Sequence, residues 1–67
     1  MIELSVNGVS TSLHASSTVA ELIIELDLTG KKIAIERNGE IVPRSLFATT
    51  SLLTDDQIEI VVAVGGG

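Results

Sequence analysis

The chain has 67 residues, nine acidic against four basic, a net charge of −5 and no cysteine. One small domain fits that length, a second core does not, and with no Cys and a single histidine, His14, neither disulfides nor a Cys/His metal site can brace it. The negative balance excludes a nucleic-acid binder, which needs a basic stripe to displace counterions, and Phe47 as sole aromatic offers no platform for stacked bases. It also disfavours adsorption to anionic lipid, and no apolar run approaches the ~20 residues of a membrane span. A hydrophobic fraction of 45% with 19% charged residues argues for a folded globule over a disordered chain. Met1 to Leu4 lead straight into alternation without the basic and apolar regions of a secretory signal, so a cytoplasmic protein is expected.

Ile2, Leu4 and Val6 alternate with Glu3 and Ser5, giving one apolar face with period 2. Asn7-Gly8 suits the positive φ angles of a type I′ turn. Val9, Thr11 and Leu13 then alternate with Ser10, Ser12 and His14, and two such runs joined by Asn-Gly predict a β-hairpin. The period changes after Ser17. Thr18 and Glu21 fit a capping box, and Val19, Leu22, Ile23 and Leu26 fall at i, i+3, i+4 and i+7, one stripe of a helix. The spacing predicts nine to eleven helical residues, ended by Asp27-Leu28-Thr29-Gly30 with Gly30 in a left-handed conformation.

Period 2 resumes over Ile33 to Arg37, and Asn38-Gly39 signals a second hairpin into Glu40-Ile41-Val42. Pro43 cannot donate to a ladder, which makes this strand short and places it at a sheet edge. Residues 44 to 54 lack periodicity; Leu46, Phe47, Leu52 and Leu53 are expected under the sheet. Asp55-Asp56-Gln57 reads as a turn, and Ile58 to Val64 as the most apolar strand. One helix on one face of a mixed four- to five-stranded sheet accounts for this order. The last strand pairs with the first in parallel, because the helix supplies the long crossover. This α+β order is the β-grasp arrangement, with residues 1–64 as its single domain and 65–67 as a flexible glycine tail.

Catalysis by the chain alone finds no support in its residues. Cys chemistry is absent, His14 falls on the solvent side of a strand end, and no spacing of His, Asp and Glu gathers metal ligands. The adjacent carboxylates of Asp55 and Asp56 are expected to point to solvent. Gly65-Gly66-Gly67 form no phosphate cradle, because neither a helix nor a Lys follows. These glycines admit two readings. One is an inert terminus. The other rests on glycine's lack of Cβ: such a segment has the smallest cross-section a peptide offers, and three extended residues reach about 10 Å. It can thread a narrow channel and deliver the Gly67 carboxylate, ionised at neutral pH, to an active site in another protein.

Three stretches carry a family resemblance: Ser17-Thr18-Val19-Ala20-Glu21-Leu22 at the helix start, Glu36-Arg37-Asn38-Gly39-Glu40-Ile41-Val42-Pro43-Arg44 across the second hairpin, and Asp56-Gln57-Ile58-Glu59-Ile60-Val61 leading through Val64 to the glycines. Over essentially its whole length the chain resembles the ubiquitin-like sulfur carriers, and among them the thiamine-biosynthesis family, ThiS. The Gly-Gly ending is shared with ubiquitin and the small subunit of molybdopterin synthase; the Asn-Gly-Glu-Ile-Val-Pro-Arg stretch favours the thiamine branch. Asp55-Asp56 departs from the family's more frequent Gly-Asp turn, and the third glycine is a variation the family tolerates.

The resemblance implies a carrier and not an enzyme. An E1-like adenylyltransferase would activate the Gly67 carboxylate with ATP and Mg²⁺, a cysteine-derived persulfide would displace AMP, and the resulting thiocarboxylate would pass sulfur to thiazole synthase. Gly65 and Gly66 would thread the partner's active site. ATP and Mg²⁺ would belong to the activating partner, with no cofactor or metal held by this chain, and a monomer is expected because the tail must be free to enter. Val61, Ala63 and Val64 are candidate docking residues, as exposed aliphatic side chains beside the tail. The overall acidity suggests a basic dock, with Glu36, Glu40 and Glu59 as complements; Arg37 and Arg44 are expected to be solvated or paired with acids. Alternatives are a carrier for molybdenum-cofactor synthesis or tRNA thiolation, and a non-covalent β-grasp interaction module.

Overall fold

The alternation at the start of the chain forms β1 (Ile2–Val6), and the following run forms β2 (Val9–Leu13), in a computed structural model that describes residues 1–63. Val6 pairs with Val9, leaving Asn7 (φ 51°) and Gly8 (φ 82°) as a two-residue loop with both angles positive, as a type I′ turn requires. The second hairpin repeats the device. β3 (Ile33–Arg37) and β4 (Glu40–Ile41) are joined by Asn38 (φ 53°) and Gly39 (φ 86°). Pro43 follows, and β4 is the short outer strand predicted for it.

The sheet order is β2-β1-β5-β3-β4, with β5 (Gln57–Val62) at the centre, parallel to β1 and antiparallel to β3. The single helix, α1 (Val19–Glu25), supplies the crossover that this parallel pair needs. Leu4, Val6, Leu13, Ile35, Ile58 and Ile60 from the sheet join Val19, Leu22 and Ile23 of α1 in one buried cluster, closed by Leu52 from the linking segment. The fold is a mixed five-stranded sheet with one helix, the ubiquitin-like β-grasp.

Every backbone donor in the first turn of α1 has a partner. The Thr18 hydroxyl accepts from the Glu21 N–H (3.3 Å) while the Glu21 carboxylate accepts from the Thr18 N–H (3.0 Å), completing the capping box. The N–H groups of Val19 and Ala20 donate to the carbonyls of Thr50 and Phe47, and that of Leu22 to Thr18. The aperiodic segment 44–54, opened by a 3₁₀ turn at Arg44–Leu46, thus works through its carbonyls as a cap on the helix. Leu52 and, in part, Phe47 pack inward, whereas Leu46 and Leu53 are exposed, contrary to the expectation that all four lie under the sheet. Val9 is exposed too, because it sits beside a turn on an outer strand.

The helix has seven residues and not nine to eleven. Asp27 adopts the left-handed conformation at φ 59°; the Leu28 N–H reaches the Ile23 carbonyl and the Asp27 N–H the Ile24 carbonyl, both at 3.0 Å. This is a Schellman stop, placed three residues before Gly30. Gly30, at φ 84°, serves the next turn, in which the Lys31 N–H donates to the Leu28 carbonyl.

Asp56 corrects a further expectation. It is 5% exposed and faces inward. Its Oδ2 accepts from Arg37 Nε and the Leu53 N–H, both at 2.8 Å, and its Oδ1 from Asn38 Nδ2 at 3.0 Å. Burial pushes this carboxyl up, but the hydrogen bonds from Arg37, Asn38 and the Leu53 backbone, with the Arg37 charge, outweigh it and hold the group below its ordinary 3.8. Asp55, just before it, takes φ 73°, the conformation that glycine adopts without strain.

Candidate functional site

The strand that leads toward the glycines outruns its parallel neighbour. Pairing of β5 with β1 covers Ser5–Gln57 and Val6–Ile58, and there the first hairpin turns. Asn7 finishes the ladder with its side chain: Oδ1 accepts from the Ile60 N–H (2.7 Å) and Nδ2 donates to the Ile60 carbonyl (3.1 Å). From there β3 carries the strand, Val61 opposite Ala34 and Val62 opposite Ile33, until the Ala63 N–H donates to the Lys32 carbonyl at 2.8 Å. The other end of β5 is fixed by the second hairpin, where Asn38 Oδ1 accepts from the Gln57 N–H at 2.9 Å. Each Asn-Gly turn therefore serves twice, as a reversal and as a side-chain clamp on the central strand. Sequence reading finds the first role and misses the second, because the clamped residues lie 53 and 19 positions away.

Of the predicted docking residues, Val61 is 65% exposed and Ala63 is also exposed. Both stand at the end of β5. Val64 and the tail residues Gly65, Gly66 and Gly67 lie outside the described residues. Val62, which shares its strand parity with the buried Ile58 and Ile60, is 38% exposed. Glu36 and Glu59 face each other directly across β3 and β5, and both, like Glu40, are exposed.

The cations are distributed unevenly. All four fall between residues 31 and 44. Arg37 forms the one ion pair among the described residues, with Asp56, as expected of it; Arg44 has no acidic partner among them. Lys32, Arg44, Val61 and Ala63 line a shallow groove of about 370 Å³ at the end of β5. A second, of about 270 Å³, runs along α1 between Lys31, Arg44 and Phe47. Arg44 and Ile33 belong to both, and no acidic side chain lines either. Sequence reading missed Lys32 as part of this surface; the confinement of every cation to one short stretch was the available signal.

The ThiS family model matches residues 3–67. The chain belongs to the ThiS family. It is 36% identical over 52 residues to the sulfur carrier protein ThiS of Bacillus subtilis, covering 78% of this chain and 79% of that one. The crystal structure of the thiamine biosynthesis protein ThiS from Geobacter metallireducens superposes with a TM-score of 0.83 at 30% identity, covering 98% of this chain and all of the other. A thiazole synthase of Paramagnetospirillum magneticum is 42% identical over 66 residues. The chain spans about a fifth of the length of the thiazole synthases it matches. No helix among the described residues of this ThiS protein is long and apolar enough to cross a membrane.

Proposed function

We propose that this chain is a sulfur carrier for the thiazole moiety of thiamine, working from the cytoplasm as a monomer through the α-carboxylate of Gly67. A carboxylate is a poor electrophile, so it must be activated first. In the proposed sequence a carboxylate oxygen attacks the α-phosphorus of ATP in an E1-like adenylyltransferase, releasing pyrophosphate. A persulfide sulfur derived from cysteine then attacks the acyl carbon and AMP leaves. Cleavage of the resulting acyl disulfide by a thiol gives the thiocarboxylate and a disulfide. ATP and Mg²⁺ are the partner's in this scheme; the carrier contributes a narrow attachment point at Gly65 to Gly67 and a folded handle.

The observation that carries the reading is the family match through residue 67, which includes all three glycines. Two further findings support it. The Bacillus relative is named a sulfur carrier, and proteins named thiazole synthase contain a segment similar to nearly the whole of this chain, which supports thiazole synthase as the client. Exposed Val61 and Ala63 at the end of β5 are suited to receive a partner close to the tail.

The test is incubation of the chain, with Gly67 confirmed as its C-terminus by intact mass, with an adenylating enzyme of the ThiS pathway and ATP. Pyrophosphate release is expected, followed, once a persulfide donor and a thiol are added, by a product heavier by the difference between sulfur and oxygen. Gly66→Ala should slow activation and leave the melting temperature unchanged. Unaltered pyrophosphate release after deletion of Gly66 and Gly67 would overturn the proposal.

A further inference from the structure

The acidic side chains of this chain leave two of its grooves unlined. Nine carboxylates outnumber four cations across the chain, yet the groove at the end of β5 and the one along α1, which share Ile33 and Arg44, are lined by Lys31, Lys32 and Arg44 without a single Asp or Glu. Lys32 is fixed there by the fold, its carbonyl accepting from the Ala63 N–H. Arg44 is fixed by Pro43, whose ring sets the entry to the 3₁₀ turn at φ −61°, and by its carbonyl, which accepts from the Phe47 N–H at 3.1 Å. Between these heads lie aliphatic and aromatic side chains: Val61 and Ala63 on one side of Arg44, Ile24 and Phe47 on the other. Val61 and Ile24 are each about two-thirds exposed.

We propose that Lys31, Lys32 and Arg44 form a cationic collar around the exit of β5, and that it docks a partner protein whose channel entrance carries carboxylates around an apolar contact. The inference rests on the carrier reading and names the chemistry of the partner's surface at that site. The overall charge of −5 points the opposite way, toward a basic dock; the local field at the tail governs the approach of the tail, because charges beyond a Debye length of roughly 8 Å are largely screened at physiological salt. The grooves are shallow and open, suited to side chains projecting from another protein. Carboxylates on the partner would steer the carrier so that the strand end arrives first, a gain in association rate, while the aliphatic contacts around Arg44 hold the complex.

The test is calorimetric binding of the chain to the adenylating enzyme of its own ThiS pathway without nucleotide, alongside steady-state pyrophosphate release. Lys32→Glu and Arg44→Glu should each weaken binding and raise the KM for carrier by roughly tenfold, with kcat within twofold of the unsubstituted chain. Arg44→Lys should restore most of the loss, and added salt should narrow the differences. Ser10→Glu, which adds negative charge on the distant outer strand, should change neither constant, and thermal melts confirm that all variants fold. Binding within twofold for both reversals, or an equal loss in Ser10→Glu, overturns the collar and leaves the carrier function standing. Collar-dependent binding without any adenylation overturns the function and leaves the docking surface standing. If deleting Gly66 and Gly67 shifts the Arg44 Nε–H resonance of the free chain, the occupant is the chain's own C-terminus and the proposal fails.

Discussion

Asp56 joins three parts of the molecule that are separate in sequence. Its two oxygens collect an arginine from β3, an asparagine from the second turn and a backbone N–H from the linking segment. Asp56→Asn cannot reproduce this set: whichever way the amide is oriented, its NH₂ group meets a donor. The substitution should cost about 2 kcal/mol, a fall in Tm of roughly 10 °C for a domain this small. The sign of the pH dependence follows from the depressed carboxyl. Its contribution is complete above the ordinary carboxylate value and is lost as pH falls below that value toward the lower native one. The Tm difference between the parent chain and Asp56→Asn should therefore be constant near neutrality and shrink below about pH 4. None of this was legible in the sequence, where two adjacent aspartates read as a solvated turn. The side-chain donors that satisfy the buried Asp56 come from Arg37 and Asn38, and no local pattern connects them to it. Asp27 shows the same limit at shorter range: glycine is the usual stop residue, and here an aspartate took the position.

Elements whose signals are local were legible in kind, if not to their last residue. Both hairpins followed from Asn-Gly between alternating runs, the helix start from Thr18 and Glu21, and the parallel closure from the helix between the strands it joins. The linking segment was not, because its contribution is made by carbonyls, which every residue carries alike. The candidate docking residues Val61 and Ala63 could be placed on the outer side from strand parity alone, whereas the gathering of Lys32 and Arg44 required the second hairpin to fold. The outer face of the sheet also holds an unfavourable pair, Glu36 opposite Glu59. Like charges directly across a ladder oppose each other, and Glu59→Lys should turn this contact into an attraction. A gain of about 0.5–1 kcal/mol is expected, seen in urea unfolding at low salt and reduced when salt is raised. Equal stability of the two proteins would show that solvent already screens the pair.

At the scale of the whole molecule, the central strand is fastened at Gln57 and at Ile60 by asparagine side chains that each precede a glycine. Such a dipeptide is the one most prone to lose ammonia, since the unhindered glycine nitrogen can close on the side-chain carbonyl to a succinimide. In the native protein the Asn7 amide is engaged through both its oxygen and its nitrogen, so cyclisation must wait for the sheet to open. Chemical ageing thereby becomes a clock for local opening. Aspartate and isoaspartate at position 7 should accumulate slowly in the folded chain and faster in the Asp56→Asn variant, as peptide mapping over weeks would record; equal rates would sever the link. Each lesion of this kind is irreversible because the ammonia is lost, and an aspartate at position 7 would present oxygen where the Ile60 carbonyl now receives an N–H. Damage at one turn would loosen the strand that shields it.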